Sequence, residues 1–241
     1  MGAFEQFDPT FRFASDSGGK DPDIASPTLR SYHQRLWSKP LPSGDLFDLI
    51  YDDTYLSYTS SGKTFVLSSD SSVPTWSRWK RMQHIIEKFP EEEIVDFRLV
   101  AGQMGAMMLF PRNRVDGQVG LNGARGFTAR IADRLDLTLE CIRLFYAGEV
   151  DPRLNPLGPV LARYPDFFGL FVDFSSYVEF FLLQDMVNED HSQVKFFLPC
   201  DGFTLPPRAR TPVDYADYRL KSMNFVRARN ERMLTFARSF D

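Results

Sequence analysis

The chain is short of the residues that most often announce a reactive centre. Only three histidines (His33, His84, His191) and two cysteines (Cys141, Cys200) occur in 241 residues. No two histidines lie at a short ligand spacing and no CxxC is present, so no zinc site is expected. A magnesium site built from carboxylates leaves little trace in sequence and stays open. Cys141 in an apolar helix and Cys200 at a strand end read as buried thiols, not a disulfide or a nucleophile. No apolar run approaches the length of a membrane span and no charged-then-apolar segment opens the sequence, so the expectation is a cytoplasmic protein. The nucleotide and hydrolase signatures GxGxxG, GxxxxGKS/T and GxSxG are all missing, as is the kinase set. A net charge of -4 argues against a bulk electrostatic grip on nucleic acid, though not against a local basic patch. No internal repeat is visible.

What is present is a 43% hydrophobic composition with 23 phenylalanines, enough for one large aromatic-rich core. The most informative stretch runs from Arg112 to Arg143. An apolar run at 106–110 reads as a buried strand ended by Pro111, and a polar loop follows it. Within that loop Arg112, Asn113, Arg114, Asp116, Asn122 and Arg125 are interleaved with glycines. Asp116-Gly117 and Asn122-Gly123 are turn signals, so the loop is expected to fold back on itself. Its arginines offer planar forks of donors suited to phosphate or carboxylate. Solvated charges on a surface hairpin are the plainer alternative.

The helix after the loop places Leu135, Leu139, Ile142 and Tyr146 on one face and Asp133, Asp136, Glu140 and Arg143 on a stripe flanked by Leu137 and Leu144. Such a stripe should be partly buried, and its acids should find partners among Arg112, Arg114, Arg125 and Arg130. The outcome would be an ion-pair network fastening the loop, or a pocket with acids and cations at one end. Glu179, inside the apolar run 177–183, is the first choice for a single acid/base group, with Asp136 and Glu140 beside it as acids or metal ligands.

The fold class expected is α+β, with short, mostly antiparallel strands packed on a buried central helix and amphipathic ones. An extended arm at 1–25 precedes a single domain at 26–241. The arm's aromatics (Phe4, Phe7, Phe11, Phe13) tuck into the body, or dock on a protein partner if exposed together with Trp37. Ser26-Pro27 and Thr211-Pro212 look like helix starts, the latter opening a helix to about 239. Strands are expected at 46–50, 55–59, 64–67, 94–100 and 194–198, with helices at 77–88 and from about 175 to 187. Arg78 and His84 match the loose R-x(4 to 6)-H pattern of a helical RNase family, a pattern that chance supplies easily. His33 sits in a basic cluster with Arg30, Arg35 and Lys39.

The segments SPTLRSYHQRLWSKPLP, NGARGF, DLTLECIRLFYAGE, YVEFFLLQDMV and KFFLP together resemble a family of bacterial proteins with no assigned activity. The resemblance runs from Phe7 to Arg232; it implies a bacterial, intracellular setting and carries over no site or cofactor. From the residues, the favoured reading is an enzyme or binder for a phosphate-bearing substrate, a nucleotide or a nucleic acid end. Arg112, Asn113, Arg114, Asp116, Asn122, Arg125, Arg143 and His33 are the candidate ligand contacts. A non-catalytic interaction protein is the alternative. An ADP-ribosyl-transferring enzyme using NAD, built on His33, Tyr58-Thr59-Ser60 and Glu179, is a thinner third.

Overall fold

The computed structural model describes residues 7–52 and 55–239. It is an α+β fold, with one four-stranded antiparallel sheet and helices around it. In chain order the helices are α1 (Pro22–Ala25), α2 (Pro27–Trp37), α3 (Gln83–Ile86), α4 (Glu91–Val100), α5 (Leu121–Phe127) and α6 (Leu135–Tyr146). They continue with α7 (Gly158–Leu161), α8 (Pro165–Gly169), α9 (Phe174–Phe180) and α10 (Pro212–Arg238). Among the described residues no helix is long and apolar enough to cross a membrane.

The sheet runs in sequence order: β1 (Ile50–Asp52), β2 (Tyr55–Ser60), β3 (Lys63–Ser71) and β4 (Met107–Pro111). β2 and β3 form a hairpin across Ser61 and Gly62, both with positive φ, and the register sets Tyr58 opposite Phe65. β4 is buried along its whole length and pairs Leu109 with Ser69 and Pro111 with Leu67. The chain therefore leaves the core at Pro111 and enters the polar loop directly.

Two helix starts follow from cap chemistry. The Ser26 hydroxyl accepts the Leu29 amide at 3.0 Å ahead of Pro27, and Thr211 with Asp214 forms a capping box ahead of Pro212. α10 lies against the segment 104–106. There the Gly105 amide donates to Asn230 Oδ1 at 2.7 Å, and a Cβ at Gly105 would stand 2.3 Å from the Val226 carbonyl oxygen. Arg229, fully buried on α10, donates to the carbonyls of Gly105, Met107 and Phe181, and so ties α10 to the start of β4 and to the end of α9. Its neighbours Arg227 and Arg232 pair with Asp96 and Asp185, so these arginines hold tertiary contacts and are more than complements of the helix dipole.

Several expectations are corrected. Residues 94–100 are helical because three glutamates in the first turn of α4 suit the positive end of its dipole, and Ile94, Phe97 and Val100 bury one face. The helix expected at 77–88 is a 3-10 turn at Lys80–Met82 followed by the single turn of α3, and Arg78 and His84 are exposed on it. α9 ends at Phe180 and Leu182 takes a left-handed φ of 54°, so the buried run breaks into two short pieces, not one central helix. Residues 194–198 form one isolated bridge, Val187 with Val194, and no strand. Phe4 lies outside the described residues; Phe7 is buried against Tyr32 and Trp37 is fully buried, so neither is an exposed docking aromatic.

Candidate functional site

Three elements meet at the polar loop. The Arg112 amide donates to the Val66 carbonyl at 2.9 Å, which extends the β3–β4 pairing by one bond, and its guanidinium lies 3.5 Å from the centroid of the Tyr55 ring on β2. The loop then turns through a small hairpin, with Val115 opposite Gln118 and both Asp116 and Gly117 at positive φ. It returns so closely that a Cβ at Gly120 would sit 2.4 Å from the Arg112 carbonyl oxygen. Glycine at 120 is what lets α5 start beside the strand end. Asn122-Gly123, expected as a second turn, is the first turn of α5 instead.

The third element is α1, and it brings the acid. Asp23 accepts the Ser69 amide at 2.9 Å on one carboxylate oxygen and the Ser69 hydroxyl on the other. Asn122 Nδ2 donates to the Ser68 hydroxyl at 2.8 Å and closes the far wall. Between them lies a polar cleft of about 320 Å³, lined by Asp21, Asp23, Ser69, Arg112, Arg114 and Asn122 among others. Burial pushes the Asp23 carboxyl up to about 6, aided by repulsion from Asp21 and Asp70 and opposed by its Ser69 hydrogen bonds. Two guanidinium groups and a carboxyl that titrates near neutrality therefore share one small cavity.

Of the residues singled out in the sequence, Arg112, Arg114 and Asn122 line this cleft. Arg125 stands behind its wall, fully buried. Its guanidinium donates to Thr138 at 3.1 Å, Asp70 at 3.2 Å, the Asp133 carbonyl at 2.8 Å and Asn122 Oδ1 at 3.4 Å, and it lies over the Phe110 ring. It fixes Asn122 and leaves nothing free for a ligand. Asn113 is half-buried and its carbonyl accepts the Tyr164 hydroxyl at 2.7 Å; Asp116 is exposed on the hairpin turn.

The charged stripe of α6 is partnered, as buried charge requires, but by other arginines than those of the loop. Asp136 pairs with Arg134, both fully buried, and also accepts the Phe197 amide at 2.8 Å. Glu140 pairs with Arg143 one turn along the same helix, at 2.7 and 2.8 Å. Neither pair reaches the cleft. Glu179 is exposed, because α9 buries Phe174, Tyr177, Val178 and Phe180 and turns its opposite face outward. His33 is buried, accepts the Trp37 indole N–H at 3.1 Å and is pushed down to about 3 by burial and by Arg229. A histidine so enclosed cannot touch NAD.

Sequence reasoning missed Asp23, Ser68 and Ser69. The available signal was SSDSS at 68–72, five polar residues continuing an apolar strand, which marks a strand end bordering something other than core. Among the described residues no group of three His, Cys, Asp or Glu side chains is placed to hold a metal ion. Cys141 and Cys200 are both buried and free.

The chain belongs to a family of unknown function, DUF6994, whose model matches residues 7–233. No curated protein and no solved structure matches it.

Proposed function

We propose that the cleft between α1, β3 and the start of α5 binds a phosphate-bearing small molecule, a nucleotide or a nucleic acid end, and that Asp23 acts on it as general acid or base. One observation carries this reading: Arg112 and Arg114 share a cavity of about 320 Å³ with a carboxyl whose pKa is raised to about 6. Guanidinium forks suit phosphate oxygens, and a carboxyl titrating near the working pH is suited to moving a proton. Asn122 and Ser68, joined to each other by a hydrogen bond, stand ready as neutral donors to the same oxygens. The roles first considered for Asp136 and Glu140 pass to Asp23, since both are tied up in ion pairs away from the cleft.

Calorimetric titration with ATP and with inorganic pyrophosphate tests the reading. Binding of at least one of them should weaken about tenfold or more in Arg114→Ala and in Arg112→Ala, the scale of a lost charge-assisted hydrogen bond. Absence of binding to the parent, or an affinity unchanged from the parent in both variants, would overturn it. Arg125→Ala is unsuitable for this purpose because that side chain is part of the core.

A further inference from the structure

A second and larger cavity, about 600 Å³, opens beside the first, and the segment 19–23 lines both: Asp21 and Asp23 face the Arg112 cleft, while Lys20 and Pro22 line its neighbour. Its aromatic wall is Phe13, Trp76 and Trp79. Trp79 is 43% exposed, and the Arg208 guanidinium lies 4.2 Å from its ring centroid. Trp76, stacked on Tyr218 with centroids 4.4 Å apart, is buried, and its indole N–H has no acceptor among the described residues.

Cations crowd this cavity in a chain whose net charge is -4. Lys20, Arg78 and Arg98 line it, and among the described residues the one acid on its wall is Asp133. Arg81 repels Arg208, which burial already holds below its ordinary value. None of these five basic side chains belongs to an ion pair among the described residues, whereas Arg125, Arg134, Arg143, Arg219, Arg227 and Arg232 all do. The backbone is also unusual here: Trp76, Ala132 and Asp133, all lining the cavity, have φ of 54°, 51° and 62°. Non-glycine residues take that conformation at a cost, and such residues concentrate at ligand sites.

We propose that this cavity binds a nucleotide unit, its base stacked on Trp79 and its phosphate held by Arg78, Arg98 and Lys20. Unpaired cations supply the attraction to phosphate, and the partly exposed Trp79 indole, which Arg208 already contacts, supplies a sequence-tolerant platform for a base. The cavity volume is that of a small-molecule site. The same chemistry is offered by a free nucleotide and by one residue of a single strand. The site stands on residues different from those of the Arg112 cleft and does not require that reading.

The test uses two probes, AMP followed by calorimetry and a fluorescein-labelled twelve-residue oligouridylate followed by anisotropy. Both are titrated into the parent, Trp79→Ala and the double variant Arg78→Ala/Arg98→Ala. These side chains are exposed, so the variants are expected to fold, and circular dichroism checks that they do. The expected result is binding of at least one probe that falls about tenfold in Trp79→Ala and in the double variant. Tighter binding of the oligonucleotide, weakening steeply with salt, assigns the site to a strand; tighter binding of AMP assigns it to a free nucleotide. Failure of both probes to bind the parent, or affinities unmoved by Trp79→Ala and the double variant, would overturn the proposal.

Discussion

A guanidinium with no exposed surface must find its acceptors inside the protein, and Arg125, Arg134 and Arg229 do so in three ways. Among the described residues Arg134 has a carboxylate of its own in Asp136, Arg229 has only carbonyls and a thioether, and Arg125 has a mixed set that includes Asp70. Removing Arg125 leaves a void in the core and frees Asn122, while Asp70, 37% exposed, stays hydrated, so Arg125→Ala should cost about 2–4 kcal/mol in urea unfolding. A loss under about 1 kcal/mol would show that the network is not holding the loop. Asp23 makes a different prediction. Its folded-state pKa of about 6 lies above the ordinary 3.8, so between those values the folded chain holds more proton than the unfolded one. The contribution of this group to stability is therefore full below about pH 4 and is lost as pH rises through about 6. The thermal midpoint of Asp23→Asn, compared with that of the parent from pH 4 to 7, should lack that part of the decline; parallel curves would contradict the shift. The residue types of the cleft were partly legible in the sequence. Arg112, Arg114 and Asn122 stand in a dense polar loop, but Asp23 lies some ninety positions earlier, and only the fold brings it near. The α6 acids misled for a related reason: periodicity fixes which face they share, yet not which arginine reaches them.

At the scale of elements, the best-read pieces are those with chemistry at both an end and a face. α2 and α10 begin where Ser26-Pro27 and Thr211-Pro212 place them, because the cap hydroxyl and the fixed proline φ act locally. The strands read at 55–59, 64–67 and 106–110 correspond to β2, β3 and β4, but the polar continuation of β3 to Ser71 gives no such signal. α4 was not, since Ile94 and Val95 suggest a strand while the deciding signal, the glutamates at 91–93, lies before them. The run 175–187 is apolar enough for one helix, but Leu182 takes a left-handed φ of 54° and the rings of Phe180 and Phe181 just before it both pack on Phe171. The contact between α10 and Gly105 is a clean test of element packing. In Gly105→Ala the new methyl would meet backbone at Val226 and the Asn230 amide, neither able to swing away, so about 3 kcal/mol of stability should be lost. A near-neutral result in urea unfolding would mean that α10 shifts freely on the sheet.

Over the whole molecule, polarity is unevenly spread. Aromatic rings fill the core, whereas the segment 7–25 starts from Phe7 in that core, runs past Gly102, whose carbonyl accepts the Phe13 amide, and ends in α1 against β3. That segment makes one wall of each cavity, so any ligand in either must touch it. The α+β class follows from strand and helix patterning that any reader of the sequence can see; the position of the cleft follows from a strap that has no periodicity at all. A direct test is an amide proton–nitrogen correlation spectrum of the labelled protein titrated with inorganic pyrophosphate, which has no base to stack on Trp79. Saturable shifts are expected first at Ser68, Ser69, Arg112, Arg114, Asn122 and Gly123, with Asp23 moving as its hydrogen bond to Ser69 changes. Saturable shifts that spare these residues, or none at millimolar pyrophosphate, would contradict the claim that the Arg112 cleft is a phosphate site.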